Sequence, residues 1–366
     1  MIPHRLTKLA AALTREGADA IVVTEPASRF YLTGWGMFDA QPGESAYWVL
    51  ADPDGMTILT GIHNVVEARG AAPDSRIIGL SNAERRAIAA RMARLINDAG
   101  YRQVAFDDFH LGTGRFHELR NALSMGIELV PAADMIRTIR AVKEPGEIAA
   151  IREAVRITDD AYVRMIEWLK PGRTEKEAAW FLEKDMKEHG SVGLAFDIIL
   201  AAGPGGAVPH HEPTDRPIRE GEPCWVDFGA RVDGYCADMT RSFCLGRPDG
   251  RLQEVYDAVI ASLDTGIAAL TLGSHGTVAA DRAAAEIETR GLPVGHILGH
   301  GIGLQVHELP SVGPGSLVML EEGMIITAEP GVYFPDWGGV RVEDDALVTA
   351  DGPIVLNRSP RQLTVV

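Results

Sequence analysis

Cys224-Trp225-Val226-Asp227-Phe228-Gly229-Ala230-Arg231-Val232-Asp233-Gly234-Tyr235-Cys236-Ala237-Asp238-Met239-Thr240-Arg241-Ser242-Phe243-Cys244-Leu245 is a largely apolar run interrupted by Asp233-Gly234. Asp-Gly between two β-formers is a two-residue hairpin turn, because both central positions need positive φ. That turn pairs Val232 with Tyr235, Arg231 with Cys236, and Gly229 with Asp238. Asp227, two residues from Gly229, then shares a face with Asp238 at the diagonal spacing of about 7–8 Å. Val226, Phe228, Ala230, Ala237 and Met239 occupy the other face and read as core. Two carboxylates turned inward repel each other unless a cation neutralises them. The alternative is that both face solvent.

A second acid pair follows the same logic. Ile325 to Phe334 carries Glu329, and Val340 to Val348 carries Glu343, each inside an apolar β-rich run where a solvated glutamate is unusual. Asp344 and Asp345 beside Glu343 allow a second reading, a charged strand end. Histidines supply the third element. His296, His300 and His307 lie within a dozen residues, and Gly299, Gly301 and Gly303 argue against a helix there. So much glycine reads better as a strand that another group approaches closely. Pro209-His210-His211 adds two more histidines after a glycine-rich loop.

Two aspartates, two glutamates and a histidine form an oxygen-dominated ligand set for two divalent ions. Hard ions suit it, manganese first, with cobalt, iron or zinc as substitutes. Two such ions about 3.5–4 Å apart can acidify a water and polarise an attacked oxygen, which is hydrolytic chemistry.

Working outward, the chain of 366 residues has room for two or three domains. Its 35 basic and 51 acidic residues give a net charge of −16, which opposes general binding to nucleic acid or anionic membranes. Leu9 to Leu13 is too short for a signal-peptide core, and no uncharged apolar run approaches 18 residues. Cys224, Cys236 and Cys244 form no metal or disulfide pattern, so they read as small buried residues in a reduced, cytoplasmic protein. Leu6, Leu9, Ala10 and Leu13 mark a first helix and Ala20 to Val23 a buried strand. Strands Tyr47 to Ala51 and Met56 to Leu59 flank the turn Asp52-Pro53-Asp54-Gly55. Helices near 84–98 and 114–124 alternate with strands near 103–106 and 127–130, an α/β pattern without a catalytic cluster. Lys143-Glu144-Pro145-Gly146 breaks that pattern, with the proline placed to open the next helix. Thr174 and Glu177 form a capping box for another, ending near His189. Two further helices are expected near 250–290.

The order Asp227, Asp238, His300, Glu329, Glu343 resembles the pita-bread metallopeptidases, the group of methionine aminopeptidase, Xaa-Pro aminopeptidase and Xaa-Pro dipeptidase. Ser28 to Trp35, Ser-Arg-Phe-Tyr-Leu-Thr-Gly-Trp, is similar to the creatinase/prolidase amino-terminal domain, which methionine aminopeptidases generally lack. The resemblance implies an α/β (α+β) protein, with a creatinase/prolidase-type α/β domain over 1–142 and a pita-bread catalytic domain over 143–366. It implies that Asp227 chelates one metal, Asp238 and Glu343 bridge both, and His300 and Glu329 complete the other shell. His210 and His307 would contact substrate, with His307 at the scissile carbonyl. His296 would be a further pocket histidine, and Arg341 would lie near the proline pocket. Glu329 would also carry a proton to the leaving nitrogen. A homodimer acting on peptide substrates is expected.

Ser311 departs from the pattern. Family dipeptidases commonly follow His-Glu-x-Pro with arginine, whereas His307-Glu308-Leu309-Pro310 is followed here by a serine that cannot fork onto a carboxylate. The expected activity is hydrolysis of an Xaa-Pro bond, at the amino terminus of peptides or in dipeptides. The competing readings are a hydrolase or lyase of a small non-peptide substrate and a binding module without catalysis.

Overall fold

Leu9 and Leu13 lie one helical turn apart on α1 (Ile2–Glu16) and both are fully buried. The computed structural model describes residues 2–36 and 46–366. The chain divides into two units, Met1–Arg140 and Ala141–Val366.

The first unit is built on a six-stranded sheet of β1 (Ala20–Val23), β2 (Tyr47–Asp52), β3 (Gly55–Gly61), β4 (Arg76–Leu80), β5 (Gln103–Phe106) and β6 (Glu128–Pro131). Their spatial order is β4-β3-β2-β1-β5-β6. All pairings are parallel except those of β2, which runs antiparallel to β1 and β3. The β2–β3 turn has the expected register, with Asp52 opposite Gly55. Helices α2 (Pro26–Thr33), α3 (Val65–Ala71), α4 (Asn82–Arg86), α5 (Ile88–Ala99), α6 (Thr113–Ala122) and α7 (Ala133–Ala141) complete the unit. The helix expected near 84–98 is divided at Ala87, where a Ser81–Glu84 capping box opens the short α4 and a second helix follows. Ala89, Met92, Ala93 and Ile96 of α5 pack on Val22, Leu59 and Val104.

In the second unit, α8 (Pro145–Trp168) begins with proline at its first position, and the Glu147 carboxylate accepts the Glu144 amide at 2.9 Å. The Thr174–Glu177 box opens α9 (Glu175–Glu188) as expected. The remaining helices are α10 (Gly250–Ala268) and α11 (Gly276–Glu288). The strands are β7 (Gly193–Leu194), β8 (Ile199–Ala202), β9 (Cys224–Phe228), β10 (Ala230–Val232), β11 (Tyr235–Cys236) and β12 (Met239–Cys244), followed by β13 (Gly299–Gly301) and β14 (Glu308–Val312). After these come β15 (Ile325–Ala328), β16 (Gly331–Phe334), β17 (Gly338–Arg341), β18 (Asp344–Leu347), β19 (Ile354–Val355) and β20 (Thr364–Val365).

These strands form sheets of order β20-β12-β9-β8 and β14-β13-β15-β18-β19, with the smaller sets β11-β10-β7 and β16-β17. Helices α8 and α9 cover the first sheet through Tyr162, Met165, Leu182, Val226 and Phe243. Helices α10 and α11 cover the second through Val259, Leu263, Ala283, Ile326 and Ala346. The three cysteines are buried and free. Among the described residues, no helix is long and apolar enough to cross a membrane.

Candidate metal centre

Asp233 (φ 50°) and Gly234 (φ 87°) make the expected turn. The register above it pairs Arg231 with Cys236, Phe228 with Met239 and Asp227 with Thr240. Asp227 and Asp238 therefore lie diagonally on one face, as the hairpin reading required. Gly229 is essential to that arrangement, since a Cβ there would fall 1.8 Å from the Ala237 carbonyl oxygen. Among the flanking residues, Val226, Phe228, Ala230, Ala237 and Met239 are fully buried core.

Ile325 to Phe334 and Val340 to Val348 are β-rich runs, as the sequence suggests, but neither is one continuous strand. Each is instead two strands, in different sheets, with the glutamate at the break. Glu329 lies between β15 and β16, and its amide donates to the Leu298 carbonyl at 2.7 Å. Glu343 lies between β17 and β18, and its amide donates to the Thr240 carbonyl at 3.0 Å. Asp238 occupies a similar break between β11 and β12. At a break the side chain need not follow the in-out alternation of a strand, so acids from different sheets can converge.

His300 is on a strand, β13, as its glycines suggested. At neighbouring Gly299 a Cβ would meet the Thr327 carbonyl oxygen at 2.0 Å. The His300 Nδ1 lies 3.1 Å from the Gly301 carbonyl, which fixes that nitrogen as the donor. Its Nε2 is left to face Glu329 Oε1 at 3.4 Å and Asp238 Oδ2 at 3.7 Å. Ligand atoms of Asp238, His300 and Glu343 all lie within 4.8 Å of one another.

Asp227 stands apart from that trio. Its Oδ2 forms a close ion pair with the Arg341 guanidinium. Arg341 also donates to Thr240 Oγ1 and Tyr333 Oη, both at 3.0 Å, and to the Pro209 carbonyl at 3.3 Å, while stacking 4.2 Å over the Trp225 ring. His307 meets His300 edge-to-face with ring centres 4.4 Å apart. His296 Nε2 lies 3.0 Å from Tyr333 Oη, and its Nδ1 3.9 Å from Glu329 Oε2. His210 is exposed. Its neighbour His211 turns away to the fully buried Glu175 carboxylate at 3.0 Å, a structural contact at the start of α9.

The electrostatics suit a bound cation. Asp227 Oδ1, Asp238 Oδ1 and Glu343 Oε1 are buried without a hydrogen-bond partner among the described residues, an expensive state for an anion. Burial, and then repulsion from Glu343, pushes the Asp238 carboxyl well above the usual range. Burial, and then repulsion from Glu329, does the same to Glu343. Glu329 is pushed up to about 8, chiefly by burial. Burial pulls His300 down to about 4, helped by His307, and pulls His296 down to about 4. A metal ion would displace protons from such acids, and the lowered histidine is already the neutral imidazole that a metal takes as ligand. The donor set, carboxylates plus a neutral imidazole, fits divalent cations.

Three contributors escaped sequence reading. Thr240 donates to Glu343 Oε2 at 2.8 Å, and its position two residues after Asp238, on the same face, was a usable signal. Tyr333 and Asp345, whose Oδ2 accepts the Asp238 amide at 3.2 Å, gave none. Asp344 and Asp345 do open strand β18, but not as a solvated end. Both are fully buried, and Asp344 is paired with Arg241 at 2.6 Å and Arg361 at 2.5 Å.

Comparison with known proteins accords with this chemistry. The profile of the Creatinase/Prolidase N-terminal domain matches residues 5–142, and that of Metallopeptidase family M24 matches residues 149–350. The chain belongs to metallopeptidase family M24. An uncharacterised peptidase of Bacillus subtilis strain 168, YqhT, is 31% identical to this M24 chain over 99% of both sequences. The solved Xaa-Pro dipeptidase from Bacillus anthracis shares 30% identity and superimposes with a TM-score of 0.93 over 100% of both chains. The X-Pro aminopeptidase from Thermotoga maritima MSB8 shares 28% identity with a TM-score of 0.88 over 99% of both. The M24 chain is thus a metal-dependent enzyme of a peptidase family, with a creatinase-like amino-terminal domain before a pita-bread domain.

Proposed function

We propose that this enzyme hydrolyses the bond between a first residue and proline, in short peptides or dipeptides, with two divalent ions held by Asp227, Asp238, His300, Glu329 and Glu343. The observation that carries the reading is the convergence of Asp238, His300 and Glu343 within 4.8 Å, beside buried carboxylate oxygens that lack partners. The two solved neighbours named for Xaa-Pro cleavage support the choice of bond. When bound, the ions would acidify a water and polarise the scissile carbonyl.

The chain's own groups do the rest. An Xaa-Pro amide has no N–H, so recognition rests on shape and on the carbonyl oxygen. His307, beside His300 and exposed, would donate to that oxygen as charge develops there. Glu329 would accept a proton and deliver it to the proline nitrogen, which must be protonated to leave. Its burial raises its proton affinity, and bound cations would offset that rise. Arg341 would hold Asp227 and, with Tyr333 and His296, would form one wall of the substrate pocket. His210 would reach substrate from the exposed loop.

The test is a peptide panel with the manganese-loaded enzyme. Metal-dependent release of the first residue from Xaa-Pro dipeptides or Xaa-Pro-Yaa tripeptides is the expected result. Ser311 predicts preference for the tripeptides, because no arginine stands at that position to meet a free carboxylate. Cleavage of amides lacking proline with equal efficiency, or no peptide cleavage, overturns the assignment.

A further inference from the structure

The amino-terminal unit has a cavity of about 560 Å³. Thr24, Asn82, Arg85, Arg86, His110 and Arg115 line it. Its position follows from the topology. Thr24 follows β1, Asn82 and the two arginines follow β4, and His110 follows β5. These three strands run parallel to one another, so all these residues gather at their carboxyl ends. The chain leaves β1 toward β2, β3 and β4 on one side, and leaves β5 toward β6 on the other. A crevice outside the carboxyl ends at such a reversal is where open α/β sheets bind ligands.

The lining favours an anion despite the net charge of −16. Among the described residues neither Arg85 nor Arg86 has a carboxylate partner. Glu84, between them and Asn82 in sequence, is folded back onto the Ser81 amide and hydroxyl at 2.8 and 2.7 Å. Arg115 is braced by Glu118 at 2.6 Å and by the Arg86 carbonyl at 2.8 Å. Thr24 and His110 are joined at 3.1 Å.

The backbone adds a second, independent feature. Helix α6 opens from Leu111-Gly112-Thr113-Gly114, and its cap residue Gly112 makes no side-chain hydrogen bond to the first turn. Neither Gly112 nor Gly114 has positive φ, and a Cβ on either would meet nothing within 4 Å. Neither conformation nor packing demands glycine here. Open backbone beside uncapped helical amides leaves room for a phosphate to approach. Ile88 and Leu111 supply an apolar wall.

We propose that this cavity binds an organic phosphate. Arg85, Arg86, Arg115 and the first amides of α6 hold the phosphoryl group, and the apolar part lies on Ile88 and Leu111. Planar guanidinium forks suit phosphate oxygens.

Calorimetric titration of the metal-loaded full-length enzyme with adenosine monophosphate tests it, with adenosine alone as the uncharged control. Saturable binding of the monophosphate is expected, with adenosine much weaker. The double variant R85A/R86A should weaken binding by about tenfold or more, the scale of losing charge-assisted hydrogen bonds. R115E, which puts an acid in the first turn where the helix tolerates it, should do the same. Both should retain wild-type peptidase activity, which reports an intact fold. Three outcomes overturn the proposal: no saturable binding at millimolar concentration, adenosine binding as tightly as its monophosphate, or affinity unchanged in both variants. The last would place the phosphate at the metal centre.

Discussion

Thr240→Val replaces one methyl-sized group by another and removes a single hydroxyl. That hydroxyl donates to Glu343 Oε2 at 2.8 Å and accepts from Arg341 Nε at 3.0 Å. Thr240 is fully buried, so no water takes its place. Glu343 Oε1 is already without a partner, so the variant leaves that carboxylate with no donor, and it strips Arg341 Nε of its acceptor. At about 1–3 kcal/mol for each of the two buried groups left unsatisfied, the metal-free protein should lose roughly 2–6 kcal/mol. Metal binding should suffer separately, because a group that orients a ligand is worth about 10–100-fold in affinity. Urea denaturation of the metal-free protein reads the first effect, and calorimetric titration with manganese the second. Thr240→Ser, which keeps the hydroxyl, should recover most of the manganese affinity. If T240V bound manganese within about threefold of wild type and unfolded within about 0.5 kcal/mol of it, the claim that Thr240 positions Glu343 would fail.

Other expectations follow from particular contacts. Glu329→Gln should lower turnover by about 10²–10⁴-fold while the circular dichroism spectrum stays native; a variant that still turns over when loaded with metal removes Glu329 from proton transfer. Lys143→Met should lower the stability measured by urea denaturation, because it removes the cation paired with the buried Glu308 at 3.3 Å. Gly229→Ala should unfold at markedly lower temperature and bind manganese poorly, since its methyl cannot share space with the Ala237 carbonyl. Asp19 accepts the Gln103 and Arg102 amides, which hold its carboxyl below the usual range. A lowered carboxyl stabilises the fold above its unfolded pKa and loses that effect as pH falls through the folded one. Asp19→Ala should therefore melt below wild type at pH 7, and the gap measured by calorimetry should narrow on acidification.

The hairpin that carries Asp227 and Asp238 was legible in the sequence. Asp233-Gly234 dictated a turn, the turn dictated the register, and the register placed Asp227 and Asp238 on one face. These are local rules, in which a backbone preference at two residues propagates along a ladder with a period of two. The capping boxes of α4 and α9 and the proline start of α8 are equally local. Of these, the box at Thr174 and the proline at 145 were read in advance. Asp344 and Asp345 show the limit. Beside Glu343 they could be taken for a solvated strand end, yet both are fully buried. Two of their partners, Arg241 and the Asp238 amide, lie about a hundred residues away in the chain.

What the sequence by itself determined is the chemical kind of each candidate ligand, the hairpin that aligns the aspartates, and the glycines that let strands approach at β13. Tertiary structure alone decided that Glu329 and Glu343 sit at breaks where strands pass from one sheet to another, and that Arg341, Thr240 and Tyr333 tie Asp227 and Glu343 together. The physical reason is range. Periodicity and turn chemistry act over a few neighbouring residues, whereas a strand break is set by which sheets pack side by side. Carboxylates brought together across such a break acquire their raised proton affinity only once burial has removed water from around them.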